Sequence, residues 1–521
     1  MRKIGGVSPP HNKNTEFSKV QVLPTPAEVT IPMKMHSGKP AVPVVAVGDE
    51  VKVGQLIGEV GGPVSSPVHA SVSGRVKSIN DRDAVTGQKS VSVTITSDGK
   101  QTLFEGLKAP TVTNLQEFYD AVRDSGAVGL GGAGYPAAPK LAIKNLDQLD
   151  YILINGAECE PYVTADTRTM VADAKNVCGG VKLLLDYMKP RKGIVICIED
   201  NKAEAIQIMR DTFAEEPKVE IRALPTLYPQ GERKVLVYNV TQRIVPEGAR
   251  LADVGVIVTN VTTIAVFARY IETGFPLVNK VITVDGTSVK TPKNILAPIG
   301  TPLRELFDFC GGFTDEVEGG VEGGEVKGGG ASADAPSAGG GAADAPSADR
   351  TPKKIIVGGP MMGVAQPGLD VPVVKTTNSV LAFPEKDVIP PKVTACIKCG
   401  GCLGVCPMSL MPPNIENAFA LKKLDSLAHY KVNMCVECGS CAYVCPAKRP
   451  LVQTMQLSKD LLWLRKQEQR AADAAKAAQA EAKAKAAEAE AVAAEAKAKQ
   501  APEENAKTVE TKAAKEAKQS E

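Results

Sequence analysis

The cysteine pattern C-x2-C-x2-C-x3-C-P occurs twice in this chain and constrains its C-terminal half more than any other feature. The two copies are Cys396, Cys399, Cys402 and Cys406-Pro407, and Cys435, Cys438, Cys441 and Cys445-Pro446. Three thiolates at this spacing bind one [4Fe–4S] cluster, while the fourth, followed by proline, lies too far along the chain to close the same cluster and binds the other one. The pattern therefore predicts two clusters that carry single electrons.

The predicted ligand sets cross between the two copies. One cluster is assigned to Cys396, Cys399, Cys402 and Cys445, and the other to Cys435, Cys438, Cys441 and Cys406. Zinc is the main alternative, but a zinc site leaves the cysteine before each proline unexplained. Disulfides would suit a small secreted domain, and the start of the chain does not resemble an export signal. Of the other cysteines, we expect Cys178, Cys197 and Cys310 to be buried core thiols.

Composition favours several domains with hydrophobic cores and argues against nucleic-acid binding. The 521 residues suggest about three to four domains of ~150 residues each, and 43% of the chain is hydrophobic. A net charge of +2 and an aromatic content of 4% provide neither a basic surface nor a stacking platform for nucleic acid. No apolar run reaches the ~18 residues of a membrane helix, so we do not expect the chain to span a membrane. Reduced thiols and iron–sulfur ligands fit the cytoplasm.

The order of sequence patterns predicts a multidomain α/β protein. Residues 29–80 have short β segments with regular turns and resemble the barrel-sandwich fold of biotinyl and lipoyl domains, but without the lysine that those domains modify. Residues 111–275 alternate helical and strand patterns, with strands expected at 151–154, 194–198 and 254–258. The Ala, Lys and Glu of the C-terminal tail favour a solvated helix, with docking to a partner or a membrane surface as the alternative.

We expect five segments. They are an N-terminal region with the barrel-sandwich-hybrid unit at 1–110, a Rossmann-like α/β domain at 111–275, a small β-grasp-like unit at 276–384, a two-cluster ferredoxin-type domain at 385–455, and an Ala/Lys-rich helical tail at 456–521. Within the third segment, residues 315–350 are rich in Gly, Ala and Ser, and such a composition cannot bury a core. We therefore interpret 315–350 as a disordered insertion in a surface loop.

A glycine-rich loop at 129–136 is the second candidate for chemistry. Its candidate ligand-binding residues are Gly129, Gly131, Gly132, Gly134 and the downstream Lys140. Glycines let backbone N–H groups approach a phosphate or a planar ring, and a lysine supplies positive charge. Alone this signal is weak, because the loop matches neither the Walker pattern nor the Rossmann fingerprint.

An acidic loop follows the strand expected at 151–154. Its candidate residues are Asn155, Glu158 and Glu160. Ligands of open α/β sheets bind at the carboxyl ends of strands, where two carboxylates can accept hydrogen bonds from ribose hydroxyls or from an amide. The alternative interpretation is a solvated acidic turn.

Together, the sequences GLGGAGYPAAPK and NGAECEPYVTADTR resemble the flavin and NADH site of the flavoprotein subunit of respiratory complex I. The chain is still more similar to the RnfC family of the Rnf (Rsx) electron transport complex, whose opening GGxxPPxNK occurs here at 5–13. The resemblance implies that the glycine loop and Lys140 hold FMN, that Glu158 and Glu160 contact NADH, and that Asn155 lies near the flavin. Leu130 and the pair Ala137-Ala138 depart from the complex I loop.

The resemblance also implies a function. NADH releases two electrons together as a hydride, whereas a [4Fe–4S] cluster accepts one, and a flavin can accept two and release them singly. We therefore expect an oxidoreductase subunit that passes electrons from NADH through FMN and two clusters to partner subunits, with ferredoxin reached through one of them. The implied complex couples this transfer to Na⁺ or H⁺ transport, with this subunit peripheral on the cytoplasmic side of the bacterial inner membrane.

Three other functions stay open at this point. The chain could be an iron–sulfur electron-transfer and docking subunit without its own NADH site. It could be a scaffold whose tail and barrel-sandwich unit bind a membrane complex. It could also oxidise NADH with a quinone as the acceptor, although the double cysteine pattern disfavours that.

Overall fold

A computed structural model describes residues 4–83, 89–314, 352–388 and 392–516. The insertion expected at 315–350 lies outside the described residues. The chain divides into two compact units, Met1–Pro413 with Met434–Val452, and Asn414–Asn433 with Gln453–Glu521. All the predicted redox residues belong to the first unit.

Two small antiparallel sheets form near the N-terminus. One has the order Glu28–Pro32, Lys89–Ser97, Gly74–Asp83 and Glu50–Val51, and the other Val42–Pro43, Leu56–Glu59 and Val68–His69. Side chains alternate between the two faces of a strand, so every second residue of the first strand, Val29 and Ile31, is fully buried. This double-sheet arrangement agrees with the barrel-sandwich prediction.

A parallel four-stranded sheet forms the α/β part. Its order is Val219–Leu224, Gly193–Glu199, Tyr151–Asn155 and Val256–Asn260. Its inner strands are buried on both faces, which explains their nearly continuous apolar sequences. The helices are Leu115–Asp124, Ala137–Leu141, Ala165–Ala172, Ala174–Met188, Ala203–Thr212, Arg233–Thr241 and Val261–Thr273, with 3-10 turns at Leu146–Gln148 and Leu251–Val254.

The strand order of this sheet reverses beside Tyr151–Asn155. The chain first adds two strands on one side of it and then places Val256–Asn260 on the other side. The two strands end in register, with Asn155 opposite Asn260. A crevice at such a switch point is the usual ligand site of an open α/β sheet.

After the barrel-sandwich unit and the α/β part, the third module of the chain is a six-stranded mixed sheet. Its order is Val20–Val22, Lys293–Pro298, Asn279–Asp285, Ser379–Phe383, Lys354–Val357 and Val364–Gln366. The helix Leu303–Phe309 buries Leu303, Leu306 and Phe307, and Glu385–Val388 follows the sheet. The edge strand Val20–Val22 comes from the N-terminal region, so that region contributes to two modules.

The two cysteine patterns lie on short helical turns. Gly401–Gly404 and Ser440–Tyr443 each follow a glycine in the left-handed conformation, Gly400 at φ +77° and Gly439 at φ +81°. Further helical segments are Pro412–Ala420, Leu424–His429, Val432–Met434 and Leu451–Glu516.

The predicted helical tail is confirmed as part of one helix, Leu451–Glu516, which begins before the Ala-rich sequence. From Ala471 to Glu495 every side chain is exposed. None of the helices in the described ranges is both long enough and apolar enough to serve as a membrane span.

The predicted strands 151–154, 194–198 and 254–258 are confirmed with small shifts of their ends. The interpretation did not include the edge strand Val219–Leu224, whose side chains are mostly half-buried or exposed. Cys197 and Cys310 are buried as expected, whereas Cys178 is only partly buried and packs against the edge of the main core.

Candidate redox site

The glycine loop is closed on itself and open to solvent at its tip. The N–H of Gly129 donates to the carbonyl of Tyr135 at 2.9 Å, and the N–H of Gly134 donates to the carbonyl of Gly129 at 3.0 Å. Gly132 has φ +106°, and a Cβ placed there would meet no atom within 4 Å. The backbone at the tip of the loop is therefore free of neighbouring atoms, which leaves room for a phosphate or a planar ring to approach it.

The loop lies against the switch point of the sheet. A Cβ on Gly131 would come within 2.8 Å of the Nδ2 of Asn260, the last residue of its strand. The N–H of Leu130 donates to the Oγ1 of Thr263 at 3.0 Å, and that hydroxyl donates to the carbonyl of Val128 at 2.9 Å. Only a residue without a side chain fits where the loop crosses the strand end.

Two buried ionisable side chains, Lys280 and Asp166, hold the glycine loop and the strand end beside it. The Nζ of Lys280 donates to the carbonyl of Leu130 at 2.5 Å. Asp166 accepts from the Nδ2 of Asn260 at 2.7 Å and from the Oγ1 of Thr262 at 2.6 Å. Burial lowers the pKa of Lys280 and raises the pKa of Asp166. Leu130 itself is fully buried, so the residue that departs from the complex I loop lies in the buried part of the glycine loop.

Lys140 supplies positive charge beside the loop. It lies on the short helix Ala137–Leu141, whose first residues, Ala137 and Ala138, are buried. Burial and the charge of Arg233 lower its pKa to about 8. Arg233 also interacts with the neighbouring carboxylate of Glu232, where it opposes the rise in pKa that burial causes. No salt bridge joins Lys140 to a carboxylate among the described residues, so Lys140 is suited to an anion such as a phosphate.

Asn155 fixes the backbone at the switch point. Its Nδ2 donates to the carbonyl of Gly231 at 2.9 Å, and its Oδ1 accepts from the N–H of Ala157 at 3.1 Å. Both ends of the amide are therefore used to join the acidic loop to the segment before helix Arg233–Thr241.

The carboxylate of Glu158 caps a helix. It accepts from the N–H groups of Asp166 at 2.7 Å and Thr167 at 3.1 Å, and from the Oγ1 of Thr167 at 2.6 Å. These N–H groups begin helix Ala165–Ala172, where a negative charge is favourable. A contact of Glu158 with a dinucleotide stays a prediction, and the structure gives its carboxylate protein partners.

Glu160 also has protein partners, from the third module. Its carboxylate accepts from the N–H groups of Met361 at 3.0 Å and Met362 at 2.9 Å. Gly359 lies so close that a Cβ there would meet the carboxylate at 2.3 Å. Burial raises the pKa of Glu160 to about 7, and the two N–H groups oppose this. Its predicted contact with NADH likewise remains a prediction.

The N-terminal segment holds the acidic loop in place. The Nζ of Lys13 donates to the carbonyls of Glu158 at 3.1 Å, Glu160 at 3.0 Å and Val163 at 2.5 Å. A single ammonium with three donors thus fixes the turn of the loop. This gives a structural reason for the lysine that ends the opening sequence.

The cysteines group as the crossed assignment requires. The thiols that lie near enough to Cys402 to raise its pKa, in addition to burial, are those of Cys399, Cys445 and Cys396. Burial raises the pKa of Cys441 to about 12, with further contributions from Cys435, Cys438 and Cys406. Each set of three therefore has the proline-linked cysteine of the other copy as its fourth member.

The two copies also share their backbone conformation. Left-handed residues occur at matching places in both, the pairs being Lys398 and Glu437, Gly400 and Gly439, and Ser409 and Lys448. The N–H of Leu410 lies 3.3 Å from the Sγ of Cys406, and that of Glu437 lies 3.4 Å from the Sγ of Cys435. Such N–H···S contacts are one of the protein's means of setting cluster potentials.

No three His, Cys, Asp or Glu side chains in the described ranges converge as ligands of one metal ion would. In a cubane each thiolate binds a different iron, so its ligands do not meet at one point. The grouping of the thiols, rather than single-ion geometry, is therefore the relevant observation here.

The second cysteine copy touches the α/β part directly. The hydroxyl of Tyr228 donates to the carbonyl of Cys438 at 2.7 Å and lies 3.5 Å from the carboxylate of Glu160. Val7, Tyr228 and Cys438 form one small core, with Val436 and Val444 packed against it. The acidic loop and the second cysteine copy thus share a continuous set of contacts.

Sequence reasoning missed several residues of this site: Lys13, Asn260, Thr263, Lys280, Tyr228, Arg233 and the Met361–Met362 turn. Asn260 had a usable signal, because it lies two residues after the strand predicted at 254–258, much as Asn155 directly follows the strand predicted at 151–154. Lys13 also had a signal as the last residue of the GGxxPPxNK opening, although that motif did not indicate its contacts with the acidic loop. Lys280, Tyr228, Arg233 and the Met361–Met362 turn had no local signal.

Models of four domain families match consecutive parts of the chain. They are the RnfC barrel sandwich hybrid domain at 1–100, the Nuo51 FMN-binding domain at 122–269, the SLBB domain at 281–328 and the 4Fe-4S dicluster domain at 391–488. The predicted cofactors FMN and two [4Fe–4S] clusters are thereby confirmed, as is a multidomain fold with these four domains.

Known proteins also align with this chain over most of its length. The chain is 40% identical over 78% of its length to a subunit of the proton-translocating ferredoxin:NAD(+) oxidoreductase complex from Clostridium ljungdahlii, 82% of which is covered. It is 39% identical over 87% of its length to the corresponding subunit of the Na(+)-translocating complex from Acetobacterium woodii, 96% of which is covered. A solved NAD+-reducing [NiFe]-hydrogenase is more distant, with 16% identity, a TM-score of 0.41, and coverage of 61% of this chain and 54% of that chain. The chain therefore belongs to the RnfC family of ion-translocating ferredoxin:NAD(+) oxidoreductase complexes.

Proposed function

We propose that this chain is the NADH-oxidising subunit of an Rnf-type complex and passes electrons through FMN and two [4Fe–4S] clusters to or from its partner subunits. The observation that carries the proposal is the contact of Tyr228 with both Glu160 and Cys438. It joins the loops of the predicted flavin and NADH site to one cluster-binding set of cysteines within a single packed region.

The residues present fit FMN. Gly129, Gly131, Gly132 and Gly134 form a loop with an open tip, and Lys140 and Arg233 supply charge for a phosphate. FMN, when bound, accepts a hydride and releases its electrons one at a time. The protein contributes by holding the glycine loop at the switch point of the sheet, through contacts with Asn260, Thr263 and Lys280.

The residues also fit two clusters held as crossed sets, and they suggest an order. The set of Cys435, Cys438, Cys441 and Cys406 lies beside the acidic loop through Tyr228. The set of Cys396, Cys399, Cys402 and Cys445 has two exposed members, Cys396 and Cys399. We therefore assign the first set to electron entry from the flavin side and the second to the far end.

We retain the five-segment division at 1–110, 111–275, 276–384, 385–455 and 456–521 as part of the proposal. The partners are the other subunits of the complex, with ferredoxin reached through one of them. The relatives are subunits of ion-translocating complexes, so we place this chain peripherally on the cytoplasmic side of the inner membrane.

Stoichiometric FMN binding tests the proposal against the runner-up, an iron–sulfur docking subunit without its own NADH site. Gly132→Val should abolish FMN binding, because the side chain would enter the open tip. Gly48→Val is the matched control, since Gly48 also has positive φ, at +96°, and open space around its Cβ. Equal FMN binding by both variants, or none by the unaltered protein, would reject the NADH-entry role.

A further inference from the structure

We propose that the exposed face around Cys396 and Cys399 is the docking surface for an acidic protein that carries its own iron–sulfur cluster, and that electrons cross there. We define this exit face by Val393, Ile397, Leu403 and Met411 with Lys392, Lys398 and Lys448. The inference rests on the proposed electron path and adds the place and chemistry of the partner.

The two cysteine copies have matching backbones but unlike surroundings. In the second copy Cys438 is buried, and Val436 packs against the core of Val7 and Tyr228. In the first copy Cys396 and Cys399 are exposed, and Ile397, which occupies the position of Val436, is 67% exposed. The Cys396–Cys399 end of the first copy is therefore left open, although its other end is covered, with Cys402 buried and Val405 packed against the same small core.

The open end is apolar as well as exposed. Val393 is 50% exposed, Leu403 42% and Met411 45%. Single exposed apolar residues are ordinary, but four of them within the short segment Val393–Met411, which also holds two exposed thiols, are a concentration of the kind that marks a protein interface.

The positive charges of the exit face favour an acidic partner. Lys392 and Lys398 are exposed, and the sequence from Lys392 to Met411 contains no Asp or Glu. Lys448, which follows Cys445, is exposed as well. The segment of Lys448 lies alongside, because the N–H of Thr394 donates to the carbonyl of Ala447 at 3.1 Å and Arg449 donates to the carbonyl of Thr394 at 3.3 Å. This surface of apolar residues and cations complements one with apolar residues and carboxylates.

Electron balance restricts the partner's cofactor to one that accepts single electrons. A cluster gives up one electron at a time, so the donor on this chain is oxidised by one electron and the acceptor is reduced by one, with no bond formed or broken. An iron–sulfur cluster meets that requirement. Close approach of the two clusters requires the acceptor to sit on the face where thiols of this chain are exposed.

The test uses the assembled membrane complex. Lys392→Glu and Val393→Ser, which lie before the first cysteine, should lower NADH-driven ferredoxin turnover at least tenfold, while NADH-dependent bleaching of this chain's own clusters stays unchanged. The matched controls are Lys182→Glu and Ile244→Ser, a lysine and an isoleucine exposed on other segments of the chain. Both controls should keep the full rate.

A photo-crosslinking residue at position 397 gives a readout besides activity. The proposal expects a crosslink to a subunit whose sequence carries [4Fe–4S] cysteine patterns and whose crosslinked segment is acidic. A crosslink to a subunit without such cysteines, or full turnover in both exit-face variants, would overturn it. Loss of NADH bleaching in the unaltered protein would instead reject the proposed function and is distinguishable from either result.

Discussion

The phenol of Tyr228 donates a 2.7 Å hydrogen bond to the backbone carbonyl of Cys438, a cysteine of the second copy. The same hydroxyl lies 3.5 Å from the carboxylate of Glu160 in the acidic loop. One side chain therefore fixes the distance between the predicted electron-entry loops and the nearer set of cysteines.

Tyr228→Phe should slow electron transfer into the clusters. The change leaves a buried carbonyl without its donor, which costs about 1–3 kcal/mol and loosens the contact. We expect a several-fold lower rate of NADH-dependent bleaching with normal iron content. Tyr187→Phe is the control, because it removes a similar 2.9 Å bond, to the carbonyl of Val112, on a different segment. A rate equal to that of the control would contradict the role of Tyr228.

Lys140→Gln should weaken FMN binding and remove its pH dependence near pH 8. A charge-assisted hydrogen bond to a phosphate contributes about 1.5–3 kcal/mol, or roughly 10- to 150-fold in affinity. The ammonium is protonated below its pKa of about 8, so FMN affinity should fall as the pH rises through that value. Fluorescence titration from pH 6 to pH 9.5 measures both effects. The hypothesis fails if the unaltered protein and Lys140→Gln show the same pH profile.

Glu160 should make the protein less stable as the pH rises. Burial raises its pKa in the folded state to about 7 from an ordinary value of 4.5, so folding takes up a proton between these values. The free energy of unfolding should fall from pH 4.5 to pH 7 and stay at the lower value above that. The shift corresponds to at most about 3 kcal/mol.

Glu160→Gln removes this titration. The unfolding free energy of the variant relative to the unaltered protein should therefore increase across the window from pH 4.5 to pH 7, as measured by denaturant unfolding. Glu247→Gln, at an exposed position, serves as the control. A constant difference across the window would show that Glu160 does not take up a proton on folding.

Lys375→Met should destabilise the junction of the three N-terminal modules. The fully buried ammonium donates to the Oγ of Ser66 at 3.0 Å and to the carbonyls of Pro67 at 2.6 Å and Gly126 at 2.7 Å. Removing it takes the donor from the buried carbonyl of Pro67, while the carbonyl of Gly126 still accepts from the Oγ of Ser66 at 3.1 Å, so we expect a loss of about 1–3 kcal/mol. Hydrogen exchange at residues 66–69 and 125–128 should rise, but not in Lys354→Met. Unchanged exchange would mean that the contact is not stabilising.

Cys445→Ser tests the crossed ligands. It should damage the cluster of Cys396, Cys399 and Cys402, whose thiols lie beside Cys445, and leave the other cluster intact. Electron paramagnetic resonance of the reduced protein separates the two signals when Cys406→Ser is measured alongside. Loss confined to the cluster of the second copy in Cys445→Ser would contradict the assignment.

The local sequence was sufficient to predict those parts of the site whose chemistry requires a fixed spacing of residues. The cysteine copies predicted the crossed sets because cubane ligation imposes short intervals and a distant fourth ligand. Asn155 could be placed at a strand end because the preceding residues form a continuous apolar run. The two inner strands of the parallel sheet and its edge strand Val256–Asn260 followed from their apolar runs in the same way.

The partners of the two glutamates could not be predicted. Glu158 caps a helix that begins several residues later, and Glu160 binds N–H groups of Met361 and Met362, about two hundred residues away. Lys280 and Tyr228 likewise act through contacts that exist only once the modules are packed. A motif in the sequence identifies the loop, whereas the fold determines which of its side chains remain available to a ligand.

The most direct test is anaerobic addition of NADH to the purified chain, loaded with iron and sulfide and supplied with FMN. The account predicts that the visible absorbance of the clusters bleaches on NADH addition, that this requires FMN, and that Gly132→Val abolishes it while Gly48→Val does not. Intact clusters that dithionite reduces but NADH with FMN leaves oxidised would contradict the account.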